Sequence, residues 1–150
     1  MAASRRRLIM EAIKARVSEI SVTHGFETDA GLTVFLGETP QLGPDDPQTA
    51  IAIVVGDEEP QYQGAKFLIR LPLALQALAR ADLDQPWLAV EDVIGDLKRA
   101  VELEDRTLGG LVKSDLERRS VVAMEREPGS TTVGAEVTYL FTYSESWGAP

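Results

Sequence analysis

The stretch TTVGAEVTYLFTYSE, residues 131–145, decides the fold class, because its apolar side chains alternate as in a β-strand with one buried face. The apolar face carries Val133, Ala135, Val137, Tyr139, Phe141 and Tyr143. The preceding run, LERRSVVAMERE at 116–127, is separated from it by the turn residues Pro128 and Gly129. The two runs are therefore predicted to form a terminal β-hairpin.

Three segments upstream predict further strands. TVFL at 33–36 is short, and the β-branched run TAIAIVVG at 49–56 is typical of a buried strand. AKFLIRLPLALQALAR at 65–80 is ambiguous, because its first part alternates like a strand while LALQALAR has strong helix propensity. Pro72 suits either the first turn of a helix or the edge of a sheet. We predict a long strand that ends near residue 77.

Two segments show helical periodicity. Residues 5–20 place apolar side chains at spacings of three and four, and Ser4 is the predicted N-cap. Residues 86–103 repeat this pattern, with Pro86 at a favourable first position. The apolar positions of the second helix are Trp87, Val90, Ile94, Leu97 and Val101.

The order helix, strands, helix, hairpin lacks regular βαβ alternation and favours an α+β fold. We predict a single domain over residues 1–150, with an antiparallel or mixed sheet, two helices packed on one face, and a loose tail at 144–150. The predicted core consists of Ile9, Ile13, Ile51, Ile53, Phe67, Ile69, Trp87, Ile94, Leu97, Val137 and Tyr139. The other face and at least one sheet edge would be exposed in a monomer, which favours a charged or partner-covered surface.

Composition narrows the function classes. With 24 acidic and 15 basic side chains, the formal charge is -9, which disfavours binding to nucleic-acid phosphates. The absence of cysteine excludes disulfides, thiolate metal sites and a cysteine nucleophile. Glu11 and Lys14 interrupt the apolar run after the N-terminal arginines that a secretory signal would require. No stretch approaches the ~20 apolar residues of a membrane span. We expect a soluble cytosolic protein with no membrane or sequence-specific nucleic-acid partner.

The residues that could carry chemistry favour structural roles. His24 lies at the predicted end of the first helix, where a ring can interact with the helix dipole. Asp57–Glu59 follow a buried strand, but adjacent carboxylates on an extended chain point apart, so a solvated turn is favoured over a Mg²⁺ or Ca²⁺ site. Gly109 and Gly110 follow a helix and favour a helix stop over a phosphate loop. We therefore predict no catalytic, cofactor-binding or metal-binding residues. As for Asp57–Glu59, a solvated role is predicted for five further acidic residues: Asp45, Asp46, Glu102, Glu104 and Asp105.

The segment GETPQLGPDDPQ at 37–48 contains three prolines and two glycines, which predicts a long exposed loop. Loops of this length are uncommon in compact domains and often contact a partner.

The strand GAEVTYLFTY at 134–143 resembles the closing strand of the phage tail terminator family. The other elements follow in the order typical of that family: the RRRLIMEAIKA helix, the strand TVFLG, the Pro-rich loop, TAIAIVVGDEEP, KFLIRLPLAL, a helix before DRTLGGLV, and the hairpin. This succession covers nearly the whole chain. The likeness breaks at ALQALARADLDQPW and at SESWGAP.

The resemblance implies a non-enzymatic subunit of the virion tail, assembled in the host cytoplasm, that needs no cofactor. Its implied partners are further copies of itself in a hexameric ring, the tail tube protein whose polymerisation it stops, and a head-completion protein. The candidate contacts to other subunits or to the tube are Pro40, Leu42, Pro44, Asp45, Tyr62, Leu108 and Leu111.

Three alternatives stay open at this point. Another neck or head–tail adaptor differs in its partners, and its loss would affect the head instead of the tail end. A small acidic metal-dependent enzyme would use Asp57–Glu59 and bind Mg²⁺, Mn²⁺ or Ca²⁺ in a calorimetric titration. A small acidic binding module would be a stable monomer.

Overall fold

The computed structural model describes residues 3–40, 42 and 48–150. It confirms the predicted α+β fold, with two helices and a six-stranded mixed sheet. The elements are α1 (Arg5–Ser18), β1 (Val34–Leu36), β2 (Thr49–Val55), β3 (Glu59–Gln63), β4 (Lys66–Arg80), α2 (Pro86–Glu102), β5 (Glu117–Ala123) and β6 (Thr132–Ser146). Two single-turn 3₁₀ helices, Val22–His24 and Ala30–Leu32, lie between α1 and β1.

The sheet is built around the long antiparallel pair β4 and β6. The strand order is β1-β2-β4-β6-β5, and β3 pairs with the first part of β4. Among the strand pairs of the described residues, β1 and β2 run parallel and the others run antiparallel. Strands β4 and β6 pair from Lys66 opposite Ser146 to Arg80 opposite Thr132. This ladder resolves the ambiguous segment as a strand, because pairing along its whole length outweighs the helix propensity of its second half.

Pro72 is tolerated in the middle of β4 because of a gap between β2 and β3. Its carbonyl accepts a hydrogen bond from Gly56 N at 2.8 Å, and Gly56 lies between those two strands. The N–H and C=O of one strand residue point to the same side. The missing N–H of Pro72 therefore falls at this gap, and the β4–β6 ladder keeps all of its bonds there.

Both helices pack on one face of the sheet. Helix α1 contacts β1 and β2, and α2 contacts β4 and β6. Ser4 is the N-cap of α1 as predicted, since its hydroxyl accepts a hydrogen bond from Arg7 N at 3.2 Å. Within the described ranges, no helix is both long enough and apolar enough to cross a membrane.

The core lies between the helices and the sheet and contains most of the predicted residues. Nine of the eleven are buried: Ile9, Ile13, Ile51, Ile53, Ile69, Ile94, Leu97, Val137 and Tyr139. Phe67 is only half-buried and packs against the edge of the core. The prediction for Trp87 is wrong, since 62% of its surface is exposed. The first turn of α2 reaches the border of the sheet, so Trp87 flanks a groove and does not pack beneath the helix.

The prediction of a loose tail from residue 144 is also wrong in part. Strand β6 continues to Ser146, because it pairs with β4 to the very start of that strand. Trp147 then packs edge-to-face on Phe67, with 4.5 Å between ring centroids. Aromatic packing thus holds the chain in place just beyond the strand.

Candidate functional site

The face of the sheet that carries no helix is open. Along β4, the residues toward the helices are buried, whereas the alternate residues toward the open face are half-buried. The half-buried set is largely apolar and consists of Leu68, Arg70, Pro72, Ala74, Gln76, Leu78 and Arg80. A polar pair lies among these residues, because Gln76 Nε2 donates a hydrogen bond to Glu136 Oε2 at 2.9 Å. This surface is mixed in character and only partly exposed, because its residues on the neighbouring strands include the buried Ala50, Ala52, Leu140 and Thr142.

The sheet also has an edge at each end of its strand order, β1 on one side and β5 on the other. All seven residues of β5 are exposed, including Val121 and Val122. In β1, Leu36 is exposed and the other two residues are half-buried. Edge strands present unpaired N–H and C=O groups, so each edge can pair with a strand of another chain.

A groove of about 210 Å³ lies between α2 and the β5 edge. It is lined by Pro86, Trp87, Val90, Glu91, Ala123, Met124, Arg126 and Val133. Two of its lining residues, Trp87 and Met124, are large apolar side chains that are 62% and 46% exposed. Exposed apolar side chains beside a groove are typical of a contact site.

A second exposed group, at the opposite end of β4, is aromatic. The rings of Tyr62, Phe67 and Trp147 pack edge-to-face with centroid distances of 4.5 to 6.5 Å. Tyr62 is 65% exposed and Trp147 is 67% exposed. The sequence predicted Tyr62 as a contact residue but not its two neighbours, which come from β4 and from beyond β6.

A partly buried polar network ties β5 to α2. Glu102 accepts hydrogen bonds from the Tyr139 hydroxyl at 2.7 Å and from Arg118 Nη2 at 2.6 Å. Burial disfavours the Glu102 carboxylate, but the bonds from Arg118 and Tyr139 outweigh it and lower the pKa of Glu102. Burial and the adjacent Glu102 charge raise the pKa of Tyr139. Glu102 is thus held ionised and Tyr139 protonated, an arrangement that fixes the β5 edge to the helix.

A similar clasp holds the segment that leads into β1. The buried Asp96 of α2 accepts hydrogen bonds from Glu27 N, Thr28 N and Thr28 Oγ1 at 2.7 to 3.0 Å. One turn later, Arg99 donates to the Gly25 carbonyl and lies 4.5 Å above the Phe26 ring centroid. Residues 25–28 are therefore fixed to α2 by charge-assisted bonds.

The predicted contact residues do not form one surface among the described residues. Tyr62 is exposed, Leu42 and Leu111 are half-buried, and Pro40 is buried. The contact predictions for Pro40 and Leu108 are wrong, because both residues are buried, and Leu108 belongs to the core. Pro44 and Asp45 lie outside the described residues.

Leu108 points inward because of the turn before it. Asp105 Oδ1 accepts a hydrogen bond from Thr107 N at 2.9 Å, and Asp105 Oδ2 accepts one from Gly109 N at 2.8 Å. The turn places Leu108 at a φ of 51°. Bonds from Thr107 and Gly109 lower the pKa of Asp105 to about 2, so the carboxylate that holds the turn is ionised at neutral pH.

The acidic run Asp57–Glu59 does not converge on one point. Glu58 Oε2 pairs with Arg6 at 3.2 Å, whereas Glu59, in β3, pairs with Arg70 at 3.8 Å. The part of the chain that the structure describes contains no group of three or more His, Asp or Glu side chains that could hold a metal ion. His24 lies just beyond α1, where Nδ1 is 2.8 Å from the carbonyl of the C-cap residue Glu19.

No protein-family model matches the chain. Comparison with curated proteins gave no match either. The resemblance to the tail terminator family therefore rests on the succession of elements along the sequence, and membership of that family stays a prediction.

Proposed function

We propose that this chain is a structural subunit of a phage tail, which forms a hexameric ring on the end of the tail tube. The ring ends polymerisation of the tube and offers a surface to a head-completion protein. The observation that supports this function best is a pair of sheet edges, at opposite ends of the strand order, that no other strand of the described residues covers. A ring whose subunits meet head-to-tail needs two different complementary patches on each subunit, and the β1 and β5 edges supply two.

The free surfaces also provide for more than one kind of contact. The open sheet face, the Trp87 groove and the Tyr62 aromatic group lie on separate parts of the subunit. A terminator contacts its own copies, the tube and the head side, so it needs separate surfaces for each. Exposed Trp and Tyr are the residue types most enriched in interface hot spots.

Three side chains with shifted pKa values, Glu102, Tyr139 and Asp105, have structural partners. Glu102 and Tyr139 join β5 to α2, and Asp105 holds a turn. No enzymatic activity, metal or cofactor is part of the proposed function. The protein is proposed to be assembled in the host cytoplasm and to reside in the virion tail.

The charge of the subunit makes assembly depend on salt. A hexamer carries about -54, six times the formal charge of -9 of one chain. This repulsion opposes ring closure in dilute buffer and is weakened by the screening length of ~8 Å at physiological salt. A net negative charge also suits a channel through which DNA slides, since like charges do not adhere.

Sedimentation velocity over a series of salt and protein concentrations tests the proposal. We expect a monomer in equilibrium with a ring, with the ring fraction increasing with salt, and stable binding to tail tubes of the same phage. A monomer at every condition, together with no binding to those tubes, would contradict the function. A stable dimer alone would support a different neck adaptor.

A further inference from the structure

The groove between α2 and β5 combines two features of a strand-docking site. Trp87 and Val90 form one wall, and the exposed edge strand β5, with Ala123, forms the other. An added strand would pair with the backbone of β5 and place alternate side chains in the groove. The sheet of this subunit would then continue into the next chain.

The β1 edge of a second copy has the strand direction that this docking requires. Strand β1 runs parallel to β2, and each of the pairs β2–β4, β4–β6 and β6–β5 is antiparallel. Strands β1 and β5 therefore run in opposite directions within one subunit. If the next subunit continues the sheet in the same orientation, its β1 lies antiparallel to β5, which is the more stable pairing.

The side chains on the two faces also match. Val34 and Leu36 of β1 lie opposite Ile51 and Ile53, on the helix side of the sheet. Val121 of β5 lies opposite the buried Val137 and so faces the same side. In a continued sheet, the exposed Leu36 of one copy would lie beside Val121 or Ala123 of the other, at the apolar groove.

The two edges carry opposite charges that have no ion-pair partner among the described residues. The segment 27–38, which contains β1, carries three carboxylates and no Lys or Arg. Strand β5 carries Glu117, which pairs with Arg70, Arg118, which pairs with Glu102, and Arg119, which has no ion-pair partner within the described residues. Glu38, at the end of β1, is likewise without an ion pair among the described residues. An Arg119–Glu38 pair between copies would set the register of β1 against β5. Salt screens such a close pair less than it screens the long-range repulsion between the negatively charged subunits.

We propose that the β5 edge and its groove receive the β1 edge of a second copy of this chain, so that one sheet runs from subunit to subunit. The inference rests on the proposed ring and specifies how neighbouring copies join.

Cysteine cross-linking tests this contact directly, because the chain has no cysteine of its own. Protein with Val121→Cys is mixed with protein with Leu36→Cys under assembling conditions and treated with a short bismaleimide. We expect a covalent dimer in the mixture and in neither variant alone. Lys14→Cys, on the exposed side of α1, replaces Leu36→Cys in the control mixture and should give no dimer.

Two sets of variants give an independent measurement. Ala123→Glu adds a charge to the exposed groove wall and should raise the concentration for half-assembly about tenfold. Val22→Ala, at an exposed position outside the groove and outside the aromatic group, should leave it within about twofold. Arg119→Glu should weaken assembly, and Glu38→Arg in the same chain should restore it, which a loss of folding would not allow.

The outcomes separate this contact from the proposed function. Rings that form normally with Ala123→Glu, without cross-linking in the Val121 and Leu36 mixture, would overturn the strand contact and leave the ring function standing. An unmodified chain that forms no rings and binds no tubes would overturn both. Cross-linking and charge rescue in rings that do not bind tubes would support the contact and contradict only the terminator function.

Discussion

Asp96→Asn should destabilise the protein by roughly 2 to 4 kcal/mol. The carboxylate accepts three hydrogen bonds, from Glu27 N at 3.0 Å, Thr28 N at 2.8 Å and Thr28 Oγ1 at 2.7 Å. Asparagine keeps the shape but has one acceptor oxygen, so its NH₂ group faces a backbone N–H in either orientation. At least one charge-assisted bond, worth about 1.5 to 3 kcal/mol, is lost, and a donor is left facing a donor.

Urea unfolding followed by circular dichroism measures this change in the free energy of unfolding. The change is large compared with the total free energy of unfolding of a typical domain, which is about 5 to 15 kcal/mol. Asp92→Asn is the matched control, because Asp92 lies one turn earlier on α2 and is without a hydrogen bond among the described residues. It should change the free energy of unfolding by less than about 0.5 kcal/mol. An equally small change for Asp96→Asn would refute the clasp. Because residues 25–28 lead into β1, Asp96→Asn should also weaken ring assembly.

The remaining predictions concern packing and pH. Gly31→Ala should destabilise the protein by about 2 kcal/mol or more, because a Cβ would lie 2.4 Å from the Val17 carbonyl oxygen. Gly95→Ala should stabilise α2 by about 0.5 to 1 kcal/mol, because a Cβ there has nothing within 4 Å. Urea titrations measure the free energy of unfolding of both variants. Leu97→Ala should cost about 2 to 5 kcal/mol in the same assay, and a loss below 0.5 kcal/mol would show that α2 does not pack as described. The Asp105 carboxylate stabilises the fold above its unfolded pKa of 3.8, and this contribution is lost as the pH falls toward about 2. Asp105→Asn should therefore remove that part of the acid-unfolding profile. An unchanged profile would contradict the role of Asp105 in the turn.

The fold was predictable from sequence because its main elements carry strong periodicity. The alternation in β4 and β6 predicted two long strands, although β4 continues three residues beyond the predicted end at 77. The helix predictions agree with α1 and α2 within about two residues. Strand β3 was missed, because EPQYQ contains Pro60 and no apolar alternation. It forms through pairing with β4 across the turn at Gly64.

The candidate surfaces were less predictable, because they depend on where separate elements end. Trp87 continues the apolar spacing of α2, and local periodicity contains no information on where the sheet beneath it stops. Leu108 lies in the polar stretch EDRTLGG and precedes two glycines, which is typical of an exposed loop, yet Asp105 folds that loop inward. The aromatic group joins Tyr62 to Trp147 across 85 positions of the sequence, a contact that only the sheet register creates.

Electron microscopy of tail tubes polymerised with and without this chain tests the central claim most directly. The proposed function predicts tubes that carry one ring at one end, with the hexameric symmetry implied by the family resemblance, and that stop elongating when the ring has bound. Val22→Ala and Ala123→Glu proteins, added separately, should show whether capping follows ring assembly. Tubes with bare ends that elongate equally in the presence and absence of the chain would contradict the account.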